Sequence, residues 1–109
     1  MTVEQLSREC GFVALSLPEP ERVVSGAYVG DLLSWVMGRA QENNVWITIM
    51  SNINTLAVAS LADVSCIILA EGVTLEDDIL EAAKAKQINV LTCSKPIYET
   101  AVMLSALLS

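Results

Sequence analysis

The sequence predicts an α/β fold: a single three-layer-like domain with a mostly parallel sheet flanked by helices. Three observations carry this expectation. Short apolar runs alternate with segments of helical periodicity, the pattern of parallel strands joined by right-handed helical crossovers. The stretch VWITIM at residues 45–50 sets Val45, Ile47 and Ile49 on one face and Trp46, Thr48 and Met50 on the other. With apolar groups on both faces, it reads as a central strand. The run CIIL at residues 66–69 is apolar throughout, as a strand buried on both faces requires. A chain of 109 residues suffices for one such domain over residues 1–109 and not for two.

Taken in order, Thr2 caps a first helix through Glu9 that Gly11 ends. Residues 12–17 alternate as a strand until Pro18 and Pro20 stop it, and residues 23–25 read as a second short strand. Gly26 and Gly30 loosen the backbone before Asp31 caps a helix over residues 32–42, whose apolar stripe is Leu32, Leu33, Val36, Met37 and Ala40. Asn43 and Asn44 turn the chain into the VWITIM strand. A polar loop over residues 51–55 then leads to the helix LAVASLA, with Asn54 or Thr55 as its cap. Beyond the CIIL strand, Glu71 and Gly72 make a turn and Thr74 caps a helix over residues 75–86. Asp77 sits at the third helical position of that helix in the manner of a capping box, and acids come first and lysines last, as the helix dipole favours. Residues 88–92 form the next strand, residues 93–96 a loop, and residues 97–108 a last helix.

Thirteen acidic residues against six basic ones give a formal charge of −7, and the basic residues are scattered. Nucleic acid and anionic membrane both need a concentrated basic face, so neither is expected as a partner. The opening MTVEQLSREC carries charges where a secretory signal needs an apolar run, which leads us to expect a cytoplasmic protein. Three cysteines without CxxC spacing, and no histidine anywhere, read as reduced thiols with no metal and no cofactor, Cys66 being a core residue. Apolar residues make up 53% of the chain, more than a small monomer comfortably hides, and the expected state is a homodimer. The last helix has no charge after Glu99. Its candidate interface residues are Tyr98, Val102, Met103 and Leu107, with packing against the protein's own core as the alternative.

The residues GAYVGDLLS at 26–34, then VWITI, then NINTLAVASLA make the sequence resemble small stand-alone DRTGG-domain proteins over nearly its whole length. The agreement is most specific at Gly26, Tyr28, Gly30, Asp31, Leu32, Leu33 and Ser34. Where the naming motif has Thr-Gly-Gly, this chain has Ala70-Glu71-Gly72, and Asn52 stands where similar proteins often carry a histidine. The resemblance implies a regulatory or linking module. Such domains accompany CBS domains in regulated pyrophosphatases and are similar to the N-terminal domain of HPr kinase/phosphorylase. Some stand-alone members are encoded near iron hydrogenase subunits. A kinase activity does not carry over, because this sequence has no GxxxxGK[ST] loop.

In an open parallel sheet a ligand is expected where loops converge at the carboxyl ends of the strands. The sequence places there residues 25–31, 51–55, 71–74 and 93–96. The candidate ligand-binding residues are Ser25, Gly26, Gly30, Asp31, Ser51, Asn52, Asn54, Gly72, Ser94 and Lys95, a set of hydroxyls, amides and backbone N–H groups with Lys95 its only cation. This chemistry suits holding a small anionic or nucleotide-like ligand better than breaking a bond. For several of these residues a local role competes: a turn for Gly26 and Gly30, an N-cap for Asp31, Asx turns for Asn52 and Asn54. Glu71, Asp77 and Asp78 read as helix-start electrostatics rather than a cation site, and Cys93 near a helix start as a redox-sensitive thiol.

The expected function is a non-catalytic regulatory or ligand-sensing module, or one that docks on a metabolic enzyme. Two alternatives stand beside it. One is an assembly partner of a redox, hydrogenase-like enzyme complex, which needs the apolar last helix but not the loops. The other is a phosphotransfer or hydrolytic enzyme built around Asp31, Asn52 and Lys95, for which no residue combines the pKa of a good base at neutral pH with recognisable partners.

Overall fold

The computed structural model describes residues 1–108. Five helices and five strands follow one another as α1 (Val3–Cys10), β1 (Val13–Ser16), β2 (Ala27–Val29), α2 (Leu33–Arg39), β3 (Val45–Thr48), α3 (Ile53–Ala62), β4 (Cys66–Leu69), α4 (Asp77–Ala85), β5 (Val90–Thr92) and α5 (Ile97–Leu108). The strands form one sheet in the order β1-β5-β4-β3-β2. From β2 to β5 all neighbours are parallel, and β1 alone runs antiparallel, against β5. The mostly parallel α/β sheet expected from the sequence is therefore present, with one antiparallel edge.

Because β2, β3, β4 and β5 are laid down in one direction, their three crossovers fall on one face of the sheet. There Val36 of α2, Leu56, Val58 and Ala59 of α3, and Ala83 of α4 pack on Trp46, Ile67, Leu69 and Val90. On the opposite face Val3 and Leu6 of α1 and Leu104 of α5 pack on Val45, Ile47, Cys66, Ile68, Leu91 and Cys93. Burial on both faces explains why VWIT and CIIL are apolar without alternation. Cys66 is a core residue as expected, and burial pushes its thiol pKa up to about 12.

Several local expectations are corrected. Residues 23–25 form no strand beyond a single bridge between Thr2 and Val23, and the second strand is β2, two residues later than its expected end. Asp31 does not cap α2. The cap position is Leu32, without a side-chain hydrogen bond, because the Asp31 carboxylate is engaged on β3. The stripe of α2 is narrower than expected: Val36 is buried and Leu33 and Ala40 half-buried, while Leu32, Trp35 and Met37 are exposed. Asn52, rather than Asn54 or Thr55, caps α3 by accepting the Thr55 N–H at 3.2 Å. Helix α4 starts at Asp77, not at Leu75, after Glu76 at the cap position. The α1 cap is as read: Thr2 and Gln5 form a reciprocal capping box, and Gly11 closes the helix in the left-handed region at φ 70°. Among the described residues, no helix is long and apolar enough to cross a membrane.

Candidate functional site

The segment after Ser25 is built around one short strand. Gly26 takes φ 73°, and a Cβ there would meet the Asn44 amide nitrogen at 3.2 Å. Asn44 uses that nitrogen to donate to the Ser25 carbonyl at 2.7 Å. At the other end of β2 the Tyr28 ring lies over Gly30, where a Cβ would be only 3.0 Å from a ring carbon. The Gly30 carbonyl accepts the Trp46 indole N–H at 2.9 Å. Asp31 then reaches across to β3, accepting the buried Thr48 hydroxyl at 2.8 Å and the Ile49 N–H at 3.1 Å. Gly26, Tyr28, Gly30 and Asp31 thus lock β2 and its exit onto β3. Residues 25–31 are not one strand-end loop: β2 runs through them, so Ser25 and Gly26 lie at the amino end of the parallel sheet and Gly30 and Asp31 at its carboxyl end.

Two open clefts lie at the carboxyl end. The first, of about 500 Å³, is lined by Ile49, Met50, Ser51, Asn52, Ile53, Glu76 and Ile79. It sits between the loops that start α3 and α4. The second, of about 270 Å³, is lined by Cys10, Gly11, Val13, Gly72, Thr74, Thr92, Cys93, Ser94 and Lys95. Ser51 and Asn52 therefore share one cleft, while Gly72, Ser94 and Lys95 share the other. Asn54 is exposed on α3 and lines neither.

The second cleft has a rigid floor. Glu71 and Gly72 both take left-handed backbone, φ 61° and 74°, and their N–H groups donate to the Lys95 and Cys93 carbonyls, each at 2.9 Å. The Thr92 hydroxyl donates to the Val73 carbonyl at 2.7 Å. The Glu71 carboxylate accepts the Ile97 N–H at 2.9 Å, so it serves the start of α5 and not that of α4. Among the described residues, the Lys95 ammonium has neither an ion pair nor a hydrogen bond. Cys93 is buried and its sulfur accepts from the Thr100 hydroxyl at 3.6 Å. The Cys10 thiol is held above its usual pKa, first by burial, then by Glu9 and Cys93, the opposite of what activates a thiol nucleophile. Among the described residues, no three His, Cys, Asp or Glu side chains are grouped to hold a metal ion. In the first turn of α3 the buried Thr55 hydroxyl has no hydrogen-bond partner.

At the amino end lies a smaller cleft of about 210 Å³ that includes Glu19, Arg22, Asp63, Ser65 and Asn89. Glu19, Arg22, Asp63, Ser65 and Asn89 are engaged with one another, whereas Lys86, which also lines the cleft, has no ion pair among the described residues. Arg22 donates to the Asp63 carboxylate and carbonyl, each at 2.6 Å, and to the Asn43 amide oxygen at 3.3 Å. Asn89, nearly fully buried, donates to the Glu19 carbonyl at 2.7 Å and the Ser65 carbonyl at 3.1 Å and accepts the Glu19 N–H at 2.9 Å.

The DRTGG-domain profile matches residues 20–107, which includes every strand of the parallel part, the whole lining of the first carboxyl-end cleft and all of the second but Cys10, Gly11 and Val13. The chain belongs to the DRTGG-domain family. Its fold is shared with the crystal structure of the CBS and DRTGG domains of the regulatory region of Clostridium perfringens pyrophosphatase, complexed with its activator diadenosine tetraphosphate. That match has a TM-score of 0.71 at 19% identity and covers 94% of this chain and 45% of the other. This DRTGG chain thus spans less than half the length of that regulatory region. No curated protein matches the sequence.

On this DRTGG fold, sequence reasoning missed the apolar lining of the first cleft, Ile49, Met50, Ile53 and Ile79, and the hydroxyls of Thr74 and Thr92 in the second. Ile53 and Thr74 lie inside the loops named from the sequence, Ile49, Met50 and Thr92 at or just after the strand ends that precede those loops, and Ile79 in the first turn of α4, so widening each loop to the strand end before it and the helical turn after it would have found them. Of the interface candidates, Tyr98 and Val102 face outward at 78% and 49% exposure. Met103 and Leu107 are partly buried against the protein's own core.

Proposed function

We propose that this chain is a non-catalytic, homodimeric regulatory module that senses a small anionic or nucleotide-like ligand at the carboxyl ends of its parallel strands. The observation that carries the reading is Lys95. Among the described residues it is an unpaired cation beside a cleft of hydroxyls and backbone groups at the carboxyl ends of the strands. An anion placed there gains a charge-assisted contact without breaking an internal one. The first cleft, with its apolar isoleucines and methionine, suits the flat apolar part of such a ligand. The diadenosine tetraphosphate bound by the pyrophosphatase regulatory region and the resemblance to the N-terminal domain of HPr kinase/phosphorylase support a regulatory use of this fold. The free thiols fit a cytoplasmic setting.

Calorimetric titration with AMP, ATP and diadenosine tetraphosphate tests this. We expect saturable binding of at least one, with the ligand recovered chemically unchanged and the affinity reduced about tenfold in Lys95→Ala. Binding by none of them, or turnover of the ligand, contradicts the reading.

The exposed Tyr98 and Val102 on the outer side of α5, a helix without charge after Glu99, favour a second role, docking on a metabolic or redox enzyme. In that case Val102→Lys abolishes capture of the enzyme and Asn52→Ala leaves it intact.

A further inference from the structure

The two edges of the sheet are finished differently. At one edge, β1 is irregular between Ala14 and Ser16 and is followed by Pro18 and Pro20. A bulge and prolines are the ordinary means of stopping an edge strand from recruiting another chain. At the other edge, β2 has neither. The stretch from Val23 to Gly30 contains no charged residue and no proline.

The hydrogen-bond phase of β2 is fixed by its partner. The Gly26 carbonyl accepts the Val45 N–H at 3.0 Å and the Gly30 N–H donates to the Ile47 carbonyl at 3.2 Å. Even-numbered residues therefore turn their backbone groups toward β3, and the N–H and C=O of Ala27 and Val29 point out of the sheet. Both residues are exposed. Apolar side chains flank this edge on either face. Val29, at 44% exposure, shares the face of Val45 and Ile47, while Leu32 and Trp35, at 58% and 52%, belong to the helix-α2 side. The Trp35 ring carries the Arg39 guanidinium 3.8 Å above it. Helix α2 packs on α3, and β2 is the last strand of the sheet on this side.

We propose that β2 pairs antiparallel with β2 of a second copy of this chain, about a two-fold axis through Tyr28. This rests on the homodimer reading above and gives it an interface. Outward-facing groups two residues apart are self-complementary under such an axis: Ala27 of each protomer meets Val29 of the other, and each pair exchanges both of its hydrogen bonds. The result is one continuous sheet through both protomers. Charge points to the same occupant. A chain of net charge −7 repels its own copy over most of its surface, and the uncharged stretch around β2 is where that repulsion is weakest. The α5 face stays free for another partner.

Sedimentation analysis of the wild type, Val29→Lys and Val102→Lys tests the proposal, together with hydrogen exchange of the wild type at several concentrations. We expect a wild-type dimer whose dissociation constant rises at least about tenfold in Val29→Lys and not in Val102→Lys. The Ala27 and Val29 amides should gain protection as concentration rises, a readout that needs no variant. A dimer lost in Val102→Lys but kept in Val29→Lys, with those amides unprotected at every concentration, overturns the edge pairing and leaves the homodimer standing. A wild-type monomer throughout overturns both.

Discussion

The two ends of the parallel sheet spend their polar side chains in opposite ways. At the amino end, the turns from α2 to β3, α3 to β4 and α4 to β5 each contain a non-glycine residue in the left-handed region, Asn43, Asp63 and Gln87. Arg22 binds the first two of these turns together, and Asn89 ties Glu19 to Ser65. At the carboxyl end the backbone is equally well bonded, through Asp31, Thr48, Thr92 and Glu71, but two larger clefts stay open and Lys95, like Lys86 at the amino end, has no ion pair among the described residues. Polar residues at one end hold the fold, and some of those at the other remain available to a ligand. Residue type alone does not distinguish the two uses.

The sharpest way to break this contrast is Arg22→Ala. It removes a partly buried guanidinium from Asp63 and Asn43, leaving two strained turns unsupported, and should cost about 2–3 kcal/mol of unfolding free energy with no change in ligand affinity once the protein is folded. Chemical denaturation paired with calorimetry measures both. A loss of affinity without loss of stability would assign Arg22 to the ligand instead.

Between the two ends lies Cys66, and its effect depends on pH. A thiol whose folded pKa is raised to about 12 contributes stability that is complete below its unfolded pKa and falls away as pH climbs above it. Unfolding free energy should therefore drop by about 1–2 kcal/mol between pH 8.5 and 10, and the slope should flatten in Cys66→Ala. Thermal melts across that range decide it. An equal slope in the variant would place the pH dependence elsewhere.

Asp31 is the carboxyl-end residue expected to behave like the amino end. Asp31→Ala leaves the buried Thr48 hydroxyl without its acceptor and should cost about 1.5 kcal/mol. Asn52→Ala removes the α3 cap, at about 1 kcal/mol, and also alters the lining of the first cleft. The smallest effect on stability belongs to Lys95→Ala, within about 0.5 kcal/mol, although it should weaken ligand binding about tenfold.

Those differences also mark what could be read in advance. The strands at residues 45–48 and 66–69 were legible because burial on both faces leaves an unmistakable apolar run, although β3 ends two residues before the expected Met50, and Thr2, Gly11 and the span of α5 because capping and periodicity are local. The position of β2 was not. Its three residues AYV carry no alternation, and what makes them a strand is the partner β3 together with the Tyr28 ring over Gly30. The caps of α2 and α3 were misplaced for different reasons: the Asp31 carboxylate is drawn to Thr48 and Ile49 on the neighbouring strand, a tertiary contact, whereas Asn52, Asn54 and Thr55 are all capping residue types within four positions and the local pattern does not choose among them. The site was legible as a sheet edge and a set of loops. That Ser25 and Gly26 lie at the opposite end from Ser51 and Lys95 depends on a strand too short to announce itself.

The central claim is that a ligand sits at the carboxyl end of the sheet, and amide chemical-shift mapping tests it most directly. Titrating the nucleotide panel into isotopically labelled protein should move the amides of residues 51–53, 72–74 and 94–95 and leave those around Arg22, Asp63 and Asn89 in place. Shifts centred on Arg22, Asp63 and Asn89, or none anywhere at saturating ligand, would contradict it.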